Sequence, residues 1–97
     1  MVFAGNTTGS IKSSAFPIAG LLTSIAIYNK TGGAIVVKIG VVISDTDGYL
    51  FSYNLAAVGS AGSSGYTETK IMIQQSSKLL VVTSGECDYY LTVLPPK

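Results

Sequence analysis

From Ala34 to Ser44 the chain alternates with period two. Ile35, Val37, Ile39, Val41 and Ile43 occupy the odd positions, and Ala34, Val36, Lys38, Gly40, Val42 and Ser44 the even ones. Residues two apart share a face of a strand, so five β-branched side chains in this phase predict a strand with its odd face buried. A helix is disfavoured here, because β-branched residues lose rotamer freedom against the preceding turn and Gly40 adds a backbone cost. The C-terminal region repeats the pattern. Cys87, Tyr89, Leu91 and Val93 face one way, and Asp88, Tyr90, Thr92 and Leu94 the other.

Further strands are predicted at Leu21–Tyr28, Tyr49–Leu55, Tyr66–Ile73 and Leu79–Thr83, with a weak edge strand over Ile11–Phe16 limited by Pro17. Between them lie short clusters of turn-forming residues: Asn29–Gly33, Asp45–Gly48, Gln74–Ser77 and Ser84–Glu86, plus a longer small-residue loop over Gly59–Gly65. Pro95-Pro96 removes two backbone donors and ends the last strand. The expected fold is all-β: a two-layer antiparallel β-sandwich of six to seven strands, Greek-key or jelly-roll-like. Residues 1–14, rich in Gly, Asn, Thr and Ser, form an N-terminal arm or edge segment, and residues 15–97 the sandwich domain.

Composition adds a constraint on the surface. Apolar residues make up 47% of the 97, and charged residues only 11%, less than half the usual share. Five acids and six lysines cannot cover a small domain, so part of the exterior is neutral or apolar. Val36, Val42, Leu80, Val82, Tyr90 and Leu94 fall on the strand faces opposite the expected core. An apolar outer face on a monomer invites aggregation, and these six residues are the candidate interface.

Catalytic and metal chemistry find few residues to use. The chain has no His and no Arg, which removes nucleophilic triads and the commonest neutral-pH base. One cysteine and five scattered acids make no zinc set, so no catalytic, cofactor or metal site is expected. Asp45-x-Asp47-Gly48 matches the opening of a calcium loop, but the position of that loop's bidentate Glu is Ala56; the run reads as a turn. The Gly59–Gly65 loop lacks the lysine of a phosphate-binding loop. Cys87 sits in an apolar strand as a small buried hydrophobe. Scattered lysines and a net charge of +1 argue against nucleic acid. The apolar stretch Phe16–Tyr28 is too short to span a bilayer and reads as strands, so no membrane association is expected. Asn6-Thr7-Thr8 and Asn29-Lys30-Thr31 match the glycosylation sequon, a pattern that arises readily by chance.

Six tyrosines, at 28, 49, 53, 66, 89 and 90, lie in or beside the strands. Most are expected to pack, while an exposed row would suit a protein interface or sugar stacking; with no Trp, Arg or paired acids in the chain, the interface is the better supported of the two.

From Ser24 onward the order of features resembles small β-sandwich virion proteins of tailed bacteriophages. The likeness lies in Ile25–Gly33 followed by the Ala34–Ser44 strand and an acidic Gly turn. It continues through Asn54-Leu55, a small-residue loop and Lys70–Ile73, and closes with Lys78–Gly85 and Asp88–Leu94. It covers about three-quarters of the chain. The resemblance implies a capsid decoration (cement), neck or tail component, located in the virion. Such a protein assembles as a homo-oligomer, for example a trimer, against major capsid or neck and tail subunits. It supplies no catalytic residues. The alternative is a secreted or surface module binding a glycan or protein.

Overall fold

The computed structural model describes residues 1–95, which form eight strands and no helix. They are β1 (Val2–Thr7), β2 (Ile11–Lys12), β3 (Gly20–Asn29), β4 (Ile35–Ile43), β5 (Thr46–Leu55), β6 (Ser64–Ile73), β7 (Lys78–Thr83) and β8 (Cys87–Leu94). One sheet has the order β1-β8-β3-β6 and the other β2-β7-β4-β5, all neighbours antiparallel. The pairs β1–β8, β2–β7, β3–β6 and β4–β5 are nested, as if one long hairpin had been rolled up. This is the jelly-roll arrangement, and the fold class is the expected two-layer antiparallel sandwich.

The strand count is eight, not six to seven, because Val2–Thr7 adds β1; β2 is the start of the weak edge strand expected over Ile11–Phe16, limited to Ile11–Lys12. β1 carries no hydrophobic alternation strong enough to read from the sequence. β1 is held by its backbone ladder to β8, with Phe3 packed on Tyr89 at 4.9 Å between ring centroids. After β2, residues 13–16 continue along β7: Leu79 N–H donates to Ser13 Oγ (2.8 Å) and Phe16 N–H to the Ser77 carbonyl (3.0 Å). Phe16 thereby joins the core, with Leu22, Ile25, Ile27, Leu91 and Val93 from one sheet. Ile35, Val37, Ile39, Leu79 and Val81 meet them from the other. Each fully buried side chain of this kind contributes roughly 1.5–3 kcal/mol. The odd face of β4 is inward from Ile35 to Val41, but Ile43 runs past the core and is exposed.

Two turns differ from expectation. The β4–β5 turn is Ser44-Asp45, both with positive φ (50° and 63°), rather than Asp45–Gly48. Two consecutive left-handed residues match the right-handed twist of a hairpin, and Asp tolerates that conformation. Thr46, Asp47 and Gly48 are released into β5, where Gly48 pairs with Val41. The second turn is the small-residue connection, which spans residues 56–63, so Ser64 and Gly65 belong to β6. It is pinned by Ala56 N–H to the Gly62 carbonyl (3.0 Å) and Val58 N–H to the Thr31 carbonyl (2.8 Å). Pro95 follows β8 directly, and the second proline of the predicted stop, with Lys97, lies outside the described residues.

Asn29 locks this end of the sandwich. Its buried Nδ2 donates to the carbonyls of Gly33 (2.8 Å) and Ala56 (2.7 Å), and its Oδ1 accepts from Thr31 N–H and Oγ1, both at 2.8 Å. A side chain so engaged is structural, and its amide is not free to carry a glycan.

Candidate functional site

The six residues expected to form one interface divide between two faces. Val36, Val42, Leu80 and Val82 lie on the outer side of β4 and β7, and Tyr90 and Leu94 on the outer side of β8. The first group is also less available than its strand phase implies, since Val42 and Leu80 are buried. The cause lies in the path of β5. A Cβ on Gly40 would overlap the carbonyl oxygen of Gly48, so the start of β5 lies against the outer face of β4 at that point. Lys12 Nζ, from the far edge of the sheet, reaches to 4.0 Å from Asp47 Oδ1. Backbone and lysine stem thus cover the apolar residues between them. Val36 stays exposed and Val82 half-buried, while Lys38 Nζ sits 5.4 Å from the Tyr49 ring centroid.

The other sheet leaves its outer face open. Four registered rows describe it, from one end of the strands to the other. Leu94, Leu21 and Met72 form the first; Val2, Thr92, Ser24 and Glu68 the second. Ala4, Tyr90, Ala26 and Tyr66 form the third; Asn6, Asp88, Tyr28 and Ser64 the fourth. The face therefore grades from aliphatic, through a polar stripe, to aromatic, and ends polar.

The aliphatic end is continuous with the tip of the sandwich. Met1, Val2, Ile18, Met72 and Leu94 are all exposed there, and Met1, Ile18 and Leu94 share the lining of a hollow of about 230 Å³. Beside it, the register slips between Leu22 and Ser24. β3 carries one residue more than β8, and β6 one more than β3, so Thr23 faces both Thr69 and Lys70. Bulges bend a sheet and re-aim side chains. Here they accompany a shallow groove of about 640 Å³ bordered by Leu21, Ser24, Tyr66, Glu68, Lys70 and Leu94.

The aromatic part holds three tyrosines, with exposures of 49% for Tyr28, 64% for Tyr66 and 49% for Tyr90. Tyr90 and Tyr66 flank Ala26 in one row, two strands or roughly 10 Å apart. Tyr28 lies diagonal to both, at roughly 7–8 Å. Periodicity alone had identified Tyr90 as outward but could not bring Tyr66 and Tyr28 beside it, because they stand on different strands. The remaining tyrosines do other work. Tyr89 is buried, and burial pushes its phenol up from the ordinary value. Tyr53 packs against Gly65, where a Cβ would collide with its ring, and its hydroxyl meets Thr67 Oγ1 at 2.6 Å across the two sheets. Burial raises the Tyr53 phenol, only partly offset by that bond.

At the polar end Asn6 Nδ2 donates to Asp88 Oδ1 (2.8 Å) and Glu86 Oε2 (3.0 Å), and Lys30 Nζ lies 3.2 Å from Asp88 Oδ2. The Asn6 bond, supported by Lys30, holds the Asp88 carboxyl below its usual range. Cys87, behind this cluster, is fully buried and burial pushes its thiol up, which leaves it little nucleophilic thiolate. Among the described residues no three acidic or thiol side chains converge as a metal site would require.

No family model matches the chain, and no curated protein matches it either. Solved structures do share its fold. The Drosophila NLP core, whose structure was described for pentamer formation and histone binding, superposes with a TM-score of 0.58 at 12% identity, covering 99% of this chain and 98% of that one. The carbohydrate-binding module CsCBM6-3 of Clostridium stercorarium, solved with cellobiose, gives 0.56 at 14% identity, over 98% of this chain and 74% of that one. The nucleoplasmin-like N-terminal domain of Drosophila FKBP39 gives 0.55 at 10%, over 100% and 90%. At these identities the likeness is one of fold.

Proposed function

We propose that this chain is a self-assembling structural component of a tailed-phage particle, a capsid decoration, neck or tail subunit that performs no covalent chemistry. The observation that carries the assembly reading is the aliphatic end of the open sheet, where Met1, Val2, Ile18, Met72 and Leu94 are exposed together. Soluble monomers seldom leave such side chains contiguous, and a second subunit is the economical cover. The same jelly-roll architecture supports a pentamer in the Drosophila NLP core, so the fold is compatible with closed rings. The phage assignment draws on the resemblance of the Ile25–Ser44 and Lys70–Leu94 segments to virion sandwiches.

Size-exclusion chromatography with light scattering tests assembly. The wild-type chain is expected to elute as an oligomer, and Met72→Glu with Leu94→Glu as a folded monomer. A wild-type chain that stays monomeric at high concentration refutes the assembly reading. Mass spectrometry of purified particles tests the location: presence at a fixed copy number supports it, and absence refutes it.

A further inference from the structure

The tyrosine triangle lies outside the aliphatic end to which assembly is assigned, and its chemistry differs. In the third and fourth rows of the open face, the large apolar-faced side chains are Tyr28, Tyr66 and Tyr90; the other positions of the third row are Ala4 and Ala26. Alanines leave the rings standing proud of the sheet instead of packing them edge to edge. The nearest exposed aliphatic side chain is Val2, beside Thr92 in the second row; the others described on the face, Leu94 and Met72, lie at its far end. Hydrogen-bonding groups border the triangle on both sides: Ser24, Thr92, Glu68 and Lys70 towards the groove, Asn6 and Asp88 towards the opposite tip.

Charge narrows the choice of ligand. Glu68 and Lys70 are two apart on the same face of β6, and Asp88 is paired with Lys30 at 3.2 Å. With Glu86 bonded to Asn6, three acids stand near the triangle against Lys30 and Lys70, so the charges nearly cancel and no strongly charged ligand is favoured. What remains is a neutral molecule with apolar faces that can lie on phenol rings and an edge rich in hydroxyls. Pyranose rings have this form: their C–H faces stack on aromatics, and their hydroxyls both donate and accept. Tyrosines also anchor protein interfaces, and that alternative is read out below as loss of the oligomer when the rings are removed.

We infer that the Tyr28–Tyr66–Tyr90 triangle is a binding platform for a neutral oligosaccharide, long enough to lie across two rings roughly 10 Å apart and to extend into the groove beside Glu68 and Lys70. Binding of this kind is shallow and weak per site, and repetition of the platform around an oligomer multiplies its avidity.

The test titrates the 97-residue chain with soluble neutral oligosaccharides of two to six gluco-, manno- or galacto-configured residues, and with a sialylated counterpart. Readouts are calorimetry and the intrinsic fluorescence, which in a chain without tryptophan is tyrosine emission. At least one neutral oligosaccharide is expected to bind. Tyr66→Ala and Tyr90→Ala are each expected to weaken it tenfold or more, while Tyr66→Phe and Tyr90→Phe stay within about threefold. Ile18→Glu with Met72→Glu, both at the aliphatic end and outside the groove, is expected to abolish assembly yet keep single-site binding, which separates this inference from the assembly reading. The platform is overturned if no neutral oligosaccharide binds at millimolar concentration, if the alanine variants bind like wild type, or if the sialylated probe is preferred. It is equally overturned if those alanine variants dissociate the oligomer, since the rings would then be a subunit interface.

Discussion

Replacing Asn29 with alanine removes four side-chain hydrogen bonds of 2.7–2.8 Å from a residue that is almost fully buried. Two of them tie the β3–β4 turn to itself through Thr31, one closes the turn onto Gly33, and one crosses to Ala56 at the end of β5. Each is worth about 1 kcal/mol net, and a group left unpaired away from water costs more than the bond itself. Thr31 and Gly33 lie near solvent and can recruit water, so the total expected is about 3 kcal/mol. That is a large part of the roughly 5–15 kcal/mol of a domain this size. With a urea slope of about 1–1.5 kcal/mol per molar, the midpoint should fall by roughly 2–3 M, with the slope unchanged. Equilibrium urea unfolding followed by far-UV circular dichroism measures it, with Asn6→Ala as the exposed control, expected to move stability by less than about 1 kcal/mol. If Asn29→Ala costs under about 1 kcal/mol, water replaces the whole network and the lock is not one.

Two further predictions concern the covered face and acid stability. Gly40→Ala places a methyl against the Gly48 carbonyl, forces the start of β5 off the sheet and uncovers Leu80; a loss of about 2–3 kcal/mol is expected, and Gly48→Ala, whose Cβ would meet only the Val41 carbonyl at an ordinary 3.8 Å, should cost much less in the same urea assay. Asp88 has its carboxyl held below the usual range by Asn6 and Lys30. Its contribution is therefore complete above the ordinary carboxylate value and is lost as pH falls through the lower folded value. The stability gap between wild type and Asp88→Asn should narrow as unfolding is measured from neutral pH down to about pH 3; a gap that widens on acidification contradicts the assignment.

The alternation in β4 and β8 was legible because both strands are central, and burial on one face imprints period two directly on the residues. The edge strands were harder to read. β1 is joined to its sheet by a backbone ladder and by the polar bonds of Asn6, and neither leaves a hydrophobic trace. The β4–β5 turn was placed two residues late, since Asp-Thr-Asp-Gly is an equally good turn by composition. The Ser44-Asp45 turn goes with the register that pairs Ile43 with Thr46 and Val41 with Gly48, a relation between strands.

The same division runs through the candidate sites. Outwardness is a property of strand phase, so Tyr90 and Leu94 could be assigned to an outer face from their own strand. Exposure is a property of what lies above that face. Val42 and Leu80 share the outward phase, yet β5 and the Lys12 stem cover them, because Gly40 lets a neighbouring backbone close in. Likewise Tyr28, Tyr66 and Tyr90 are separated by 38 and 24 positions along the chain, and only the nesting of β3, β6 and β8 in one sheet makes them neighbours. The sequence alone determined the all-β class and the faces of its central strands, which depend on local periodicity. Which outward residues meet, and which remain open to a partner, was decided by the order in which the rolled hairpin lays its strands side by side.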